Sequence, residues 1–236
     1  MNFAIPLQSA PLIKRYKRFL TDIVLPNGEV MTIHCPNTGS MRHCLDDVKQ
    51  VWYWDSGNEK RKYPCTLELV ETNSGDLIGV NTGRANALVK EALSEHRFNE
   101  LAYDTFKSEV KYGNENSRID FLLTKDSKHI WVEVKSVTLL ESDMGKGRGF
   151  FPDAVSSRGT KHLRELTEQV KLGDRAVLLF CVQHSGINTV SVAEHIDQIY
   201  AEAFKEAIAA GVEVIALAAD IDQYTIELTR QIEVIL

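Results

Sequence analysis

The stretch Ile130-Trp131-Val132-Glu133-Val134-Lys135-Ser136-Val137 decides how this chain folds around its chemistry. Strand side chains point to alternate faces, so Glu133 and Lys135 share one face with Trp131 and Val137. Val132 and Val134 share the other. The preceding segment Arg118–Leu123 alternates in the same way: Ile119, Phe121 and Leu123 face one side, and Asp120 faces the other with Arg118 and Leu122. On neighbouring strands the two carboxylates can meet, with a lysine one pleat beyond. Hard oxygen ligands of this kind suit Mg²⁺ or Mn²⁺, which keep several waters and also bind phosphate. Such an ion polarises a phosphoryl group and acidifies an attacking water, and the lysine would orient that water or neutralise developing charge. The same pattern also describes an ion pair on a solvated strand. The flanking strands look apolar enough to be interior, where a charged face needs a purpose.

Working outward, residues from about 85 onward alternate helical and extended patterns. Ala85, Leu88, Val89, Ala92 and Leu93 recur at helical spacing, and extended segments follow at Glu109–Tyr112, Arg118–Leu123 and Ile130–Leu139. A second helix carries Leu163, Leu166 and Val170 and ends at Gly173. Next come a strand over Ala176–Val182, a helix from Asp197 as N-cap to Ala210 closed by Gly211, and a strand over Val212–Ala218. This order is α/β with a mixed sheet. Residues from about 12 to 82 read instead as short strands (Phe19–Leu25, Glu29–His34, Val51–Trp54, Cys65–Val70, Leu77–Val80) separated by turn signals such as Pro26-Asn27-Gly28. That spacing predicts a five-stranded oligonucleotide/oligosaccharide-binding (OB) barrel. The expected division is 1–82 and 83–236.

The 236 residues are 44% hydrophobic and 25% charged, enough for a real core, and the net charge of −6 excludes a uniformly basic binder but not a local basic patch. No apolar run is long enough for a membrane span, and Met1–Gln8 lacks a signal-peptide pattern, so a cytoplasmic protein is expected. Cys35, Cys44, Cys65 and Cys181 are scattered. The His34-Cys35 and His43-Cys44 dipeptides invite a zinc reading, but adjacent strand residues diverge and their spacing departs from known ligand patterns.

Lys14, Arg15, Lys17 and Arg18, interleaved with Tyr16, can track a phosphate backbone while the ring stacks on a base; a charged edge strand that resists aggregation is the competing reading. Gly145-Lys146-Gly147-Arg148-Gly149 reads as a mobile basic loop that can bring Lys146 and Arg148 to phosphates, or as a plain linker. Lys161 and His162 open the second helix, whose N-terminus favours anions, although a lone histidine there is more often a structural hydrogen-bonder. Asp153 either adds a carboxylate or caps a turn.

Long segments of the chain resemble the sugar fermentation stimulation protein A family: Leu12–Leu20, His34–Met41, Ser117–Leu123, Val132–Leu139, Phe151–Val155 and Arg158-Gly159 with Lys161–Leu166, in order over about residues 10 to 217. The resemblance implies an N-terminal OB barrel joined to a restriction-endonuclease-like PD-(D/E)xK domain, in which Asp120, Glu133 and Lys135 fill the D…ExK positions. A glutamate of the first helix often joins such sites, and Glu91 is the nearest candidate. The family is described as binding DNA non-specifically, with a regulatory role in maltose metabolism. A DNA-binding regulator with a Mg²⁺- or Mn²⁺-dependent nuclease-like site is therefore expected, with single-stranded DNA or RNA as further targets. A catalytically silent regulator and an oligosaccharide-binding module are the alternatives. Arg42-His43, Val192 and Glu194 depart from the family's pattern.

Overall fold

The structure, a computed structural model, describes residues 1–97, 101–113 and 117–236. It contains two sheets. The first has seven strands: β1 (Gln8–Ala10), β2 (Leu12–Tyr16), β3 (Leu20–Val24), β4 (Val30–His34), β5 (Val48–Asp55), β6 (Cys65–Thr72) and β7 (Leu77–Gly79). Their order is β1-β5-β6-β4-β3-β2, with β7 on β6, and the sheet curls until β2 touches β5. Five of these strands lie where the strand-like segments between turn signals predicted them; β1 is additional, and β2 is an edge strand, as the competing reading of Lys14–Arg18 had it. Ile23, Ile33, Val51, Leu67, Val70 and Ile78 fill the interior.

The second sheet is mixed and nine-stranded. Its members are β8 (Thr105–Tyr112), β9 (Ser117–Lys125), β10 (Lys128–Val137), β11 (Leu139–Leu140), β12 (Arg148–Phe151), β13 (Arg175–Val182), β14 (Thr189–Val192), β15 (Glu213–Ile221) and β16 (Ile226–Ile235). Strand β10 is an interior strand. It pairs antiparallel with β9 and parallel with β13, so Glu133 stands beside Leu178 and Lys135 beside Phe180. Helix α1 (Arg84–Ser94) buries Leu88, Val89 and Ala92 against one face, with Val132 and Val134. Helices α2 (Ser157–Lys171) and α3 (Gln198–Ala210) cover the other, meeting Val137, Leu178 and Phe180. Ser156 caps α2 by accepting the Gly159 amide, and Asp197 caps α3 at Tyr200. Gly211 ends α3 at φ +105°, a left-handed turn that glycine adopts without steric cost.

The reading of Gly145–Gly149 as a free basic loop is corrected. Arg148 and Gly149 belong to β12, paired with β14. Gly149 presses on Ile187, where an added Cβ would come within 2.7 Å of the isoleucine side chain. Arg148 donates from Nε to Ser191 Oγ at 2.9 Å and lines a cavity of about 880 Å³ with Phe150, Phe204 and Ile208. Lys146 is exposed in the turn before β12. Glycines that suggest flexibility in a sequence here permit close backbone approach.

The two sheets dock through main chain and several side chains, carboxylates among them. Gly79 donates to the Gln183 carbonyl at 2.8 Å, and Leu77 and Ser185 exchange hydrogen bonds. Asp153 Oδ2 accepts from Ser40 Oγ (2.7 Å) and the Met41 amide (3.2 Å), so this residue pins the 37–41 turn. Arg42 and His43, two of the four residues that depart from the family pattern, add to that seam: Arg42 Nε lies 3.4 Å and His43 Nε2 3.7 Å from Glu141 Oε1. Among the described residues, no helix is long and apolar enough to cross a membrane.

Candidate metal centre

The site forms where β9 and β10 part. Their ladder ends at Val132 opposite Phe121. On the other side of β9, Glu109 faces Asp120 in register but sits at φ +56° and drops out of the pairing. Asp120 thus lies in a gap, and its carboxylate replaces the missing ladder. Oδ2 accepts the Val134 amide at 2.7 Å, and Oδ1 accepts from Asn86 Nδ2 of α1 at 2.8 Å.

Glu133 is 2% exposed. Its Oε1 accepts from Lys135 Nζ at 2.7 Å and touches His162 Nδ1, while Oε2 is buried with no hydrogen-bond partner among the described residues. Burial pushes the Asp120 carboxyl above its usual range, and the neighbouring Glu133 charge adds to the effect. Burial acts on Glu133 in the same sense, but the His162 hydrogen bond and the Lys135 charge outweigh it and hold the group low. One carboxylate is therefore neutralised by its partners and the other is not, an arrangement that attracts a cation.

Asp120 opens into a cleft of about 540 Å³ that is also lined by Glu109, Lys111, Ser117, Arg118, Arg158, Lys161 and His162. Four basic side chains (Lys111, Arg118, Arg158 and Lys161) against two carboxylates (Asp120 and Glu109) suit an anionic ligand bridged by a metal. Of the cleft residues, Lys161 and His162 were singled out at the helix start; Lys111, Arg118 and Arg158 were not expected as site residues. Lys111 stands opposite Arg118 in the β8–β9 register. Among the described residues no group of three or more His, Cys, Asp and Glu side chains converges as a metal cage. Two carboxylates suffice for an ion that retains several waters, and the unpartnered Glu133 Oε2 fits that role.

Other expected residues lie elsewhere. Glu91 forms an ion pair with the Met1 amine at 2.8 Å; the α1 residue brought to Asp120 is Asn86. Arg15 donates to the carbonyls of Asn37 (2.8 Å) and Gly39 (2.9 Å), bracing the 37–41 turn. The Tyr16 hydroxyl donates to Asp22, and its ring lies under Lys14. Lys17 and Arg18 are exposed at a turn with φ of 50° and 65°. None of these residues except Asn86 approaches Asp120, and none lines its cleft. The His34-Cys35 and His43-Cys44 pairs do not converge as a zinc site: Cys35 Sγ faces Met41 and Cys44 Sγ faces Thr138.

Comparison with known proteins agrees with this architecture. Residues 13–80 match the family described as the SfsA N-terminal OB domain, and residues 83–225 match the sugar fermentation stimulation protein RE domain. A sugar fermentation stimulation protein homolog of Shewanella piezotolerans is 56% identical over 98% of this chain and 97% of its own length. The Pseudoalteromonas atlantica homolog is 53% identical over the whole of both. The structure of Pyrococcus furiosus SfsA in complex with Ca²⁺ superposes with a TM-score of 0.84 at 23% identity, covering 100% of this chain and 98% of that one. The first sheet is thus an OB fold and the second a restriction-endonuclease-like α/β domain, as the sequence led one to expect. With family matches on both domains and relatives above half identity along the full length, the chain belongs to the sugar fermentation stimulation protein family.

Proposed function

We propose that the chain binds nucleic acid and holds a Mg²⁺ or Mn²⁺ ion at a phosphodiester-processing site built from Asp120, Glu133 and Lys135. The observation that carries this reading is the unequal pair of carboxylates. Asp120 faces a basic cleft with its ionised form disfavoured, and Glu133 keeps one buried oxygen without a partner among the described residues. A divalent ion bound there would polarise the phosphoryl group and acidify an attacking water. Asp120 and Glu133 would hold the ion, and the Val134 amide and Asn86 fix the orientation of Asp120. Lys135, only 12% exposed at its side chain, keeps a positive charge next to the place where negative charge would develop. Lys111 and Arg118 on the cleft wall would take flanking phosphates, which gives affinity without base readout. The Ca²⁺ complex of the Pyrococcus furiosus relative supports the divalent-ion part of the reading.

The test is incubation of purified protein with single-stranded and duplex DNA and RNA, in Mg²⁺, Mn²⁺ or chelator. Metal-dependent cleavage that disappears in Asp120→Ala is expected. No cleavage of any substrate, or cleavage unchanged in that variant, contradicts phosphodiester hydrolysis at this site.

A further inference from the structure

We infer that His162 is a positioning residue for Glu133: a neutral imidazole that donates its Nδ1–H to Glu133 Oε1, with its tautomer fixed by Arg158. This rests on the reading of Asp120 and Glu133 as cation ligands.

His162 lies on the buried side of α2 and is 5% exposed. Its two ring nitrogens have different partners. Nδ1 touches Glu133 Oε1 and lies 3.1 Å from Lys135 Nζ, and Nε2 lies 3.4 Å from Arg158 Nε. A guanidinium donates and never accepts, and it stays charged. Nε2 is therefore the bare, accepting nitrogen, and the single proton of the neutral ring sits on Nδ1, aimed at Glu133. The Lys135 ammonium is also only a donor, so it cannot bond a protonated Nδ1. It shares the same carboxylate oxygen instead, at 2.7 Å.

Among the described residues, two donors thus converge on Oε1 and none on Oε2. Rotating the Glu133 carboxyl group would break both hydrogen bonds, so Oε2 is held as the oxygen available to a cation. The chain Arg158 to His162 to Glu133 links the basic cleft wall to that ligand, and a residue in this position acts on the ion only through the carboxylate it orients. Partners of this kind affect metal affinity by roughly 10- to 100-fold.

The test uses three substitutions. In His162→Asn the new side-chain amide nitrogen stands in for Nδ1 and can still donate to Glu133. In His162→Gln the amide nitrogen falls where Nε2 was, and His162→Ala removes both positions. Each variant is titrated with Mn²⁺ by calorimetry beside wild type and Asp120→Ala. The expected result is an affinity weakened about 10- to 100-fold in His162→Ala and His162→Gln, largely restored in His162→Asn, and lost in Asp120→Ala. If wild type and His162→Gln bind Mn²⁺ alike, the positioning role is overturned while the metal site stands. If wild type binds no Mn²⁺, the metal site and this inference fall together. A second measurement needs neither metal nor a variant. Nitrogen NMR of the wild-type imidazole is expected to show the proton on Nδ1 and a bare Nε2, and a proton on Nε2 alone overturns the assignment.

Discussion

The Asp120 carboxylate accepts the Val134 backbone amide at 2.7 Å, in the place where the β9–β10 ladder would otherwise continue. A charged side chain thereby completes the hydrogen bonding of an interior strand while staying open to the cleft. That relationship ties the stability of the fold to the ionisation of the site.

The two carboxylates should respond to pH in opposite senses. The folded pKa of Asp120 is raised, so its contribution is fully present at low pH and is lost as pH rises through that value. Asp120→Asn removes this titration, so in chelator the stability of wild type relative to the variant is expected to increase as pH falls, read by calorimetry over a pH series. A difference between the two proteins that does not change with pH would contradict the raised pKa. Glu133 is held low, so its contribution is complete above its ordinary 4.5 and is lost as pH falls through the folded value. Acid unfolding of Glu133→Gln should accordingly be less steep than that of wild type.

Mn²⁺ should stabilise wild type by mass action, because the folded state alone assembles both ligands. A rise in melting temperature with Mn²⁺ concentration is expected, and none in Asp120→Ala. An equal rise in both proteins would place the ion elsewhere.

Arg15 should behave as a structural residue. Its guanidinium holds the carbonyls of Asn37 and Gly39. Arg15→Ala should cost about 1–2 kcal/mol of stability, measured by denaturant unfolding. A DNA-affinity loss with unchanged stability would instead return Arg15 to the binding surface.

Neutralising Lys111 and Arg118 should weaken DNA binding uniformly across sequences. The slope of log affinity against log salt should become shallower by about 0.9 for each duplex phosphate that is no longer neutralised. Fluorescence anisotropy over a salt series reads this directly, and an unchanged slope would remove these residues from the interface.

Much of this was legible in the sequence, and the misses have physical causes. Alternation alone placed Asp120, Glu133 and Lys135 on their faces, because a strand's side-chain period allows little else. It could not show that Asn86 rather than Glu91 reaches Asp120: α1 points Glu91 to the Met1 amine, a partner remote in sequence from the site. His162 was singled out as a hydrogen-bonder at the helix start, but its partner Glu133 lies 29 positions away in sequence and was not visible. Strands β12 and β14 are four residues each, one of them within a glycine-rich run, too short for a periodic signal. The charge of the Lys14–Arg18 stretch is visible in the sequence, whereas the carbonyls that engage Arg15 are not.

Phosphodiester chemistry at Asp120, Glu133 and Lys135 is tested most directly by the single-turnover cleavage rate of a labelled oligonucleotide in saturating Mn²⁺, for wild type beside Lys135→Ala. A loss on the order of 10²-fold or more is expected in the variant, with oligonucleotide binding retained. Equal rates in the two proteins, or no turnover by wild type in any divalent ion, would contradict it.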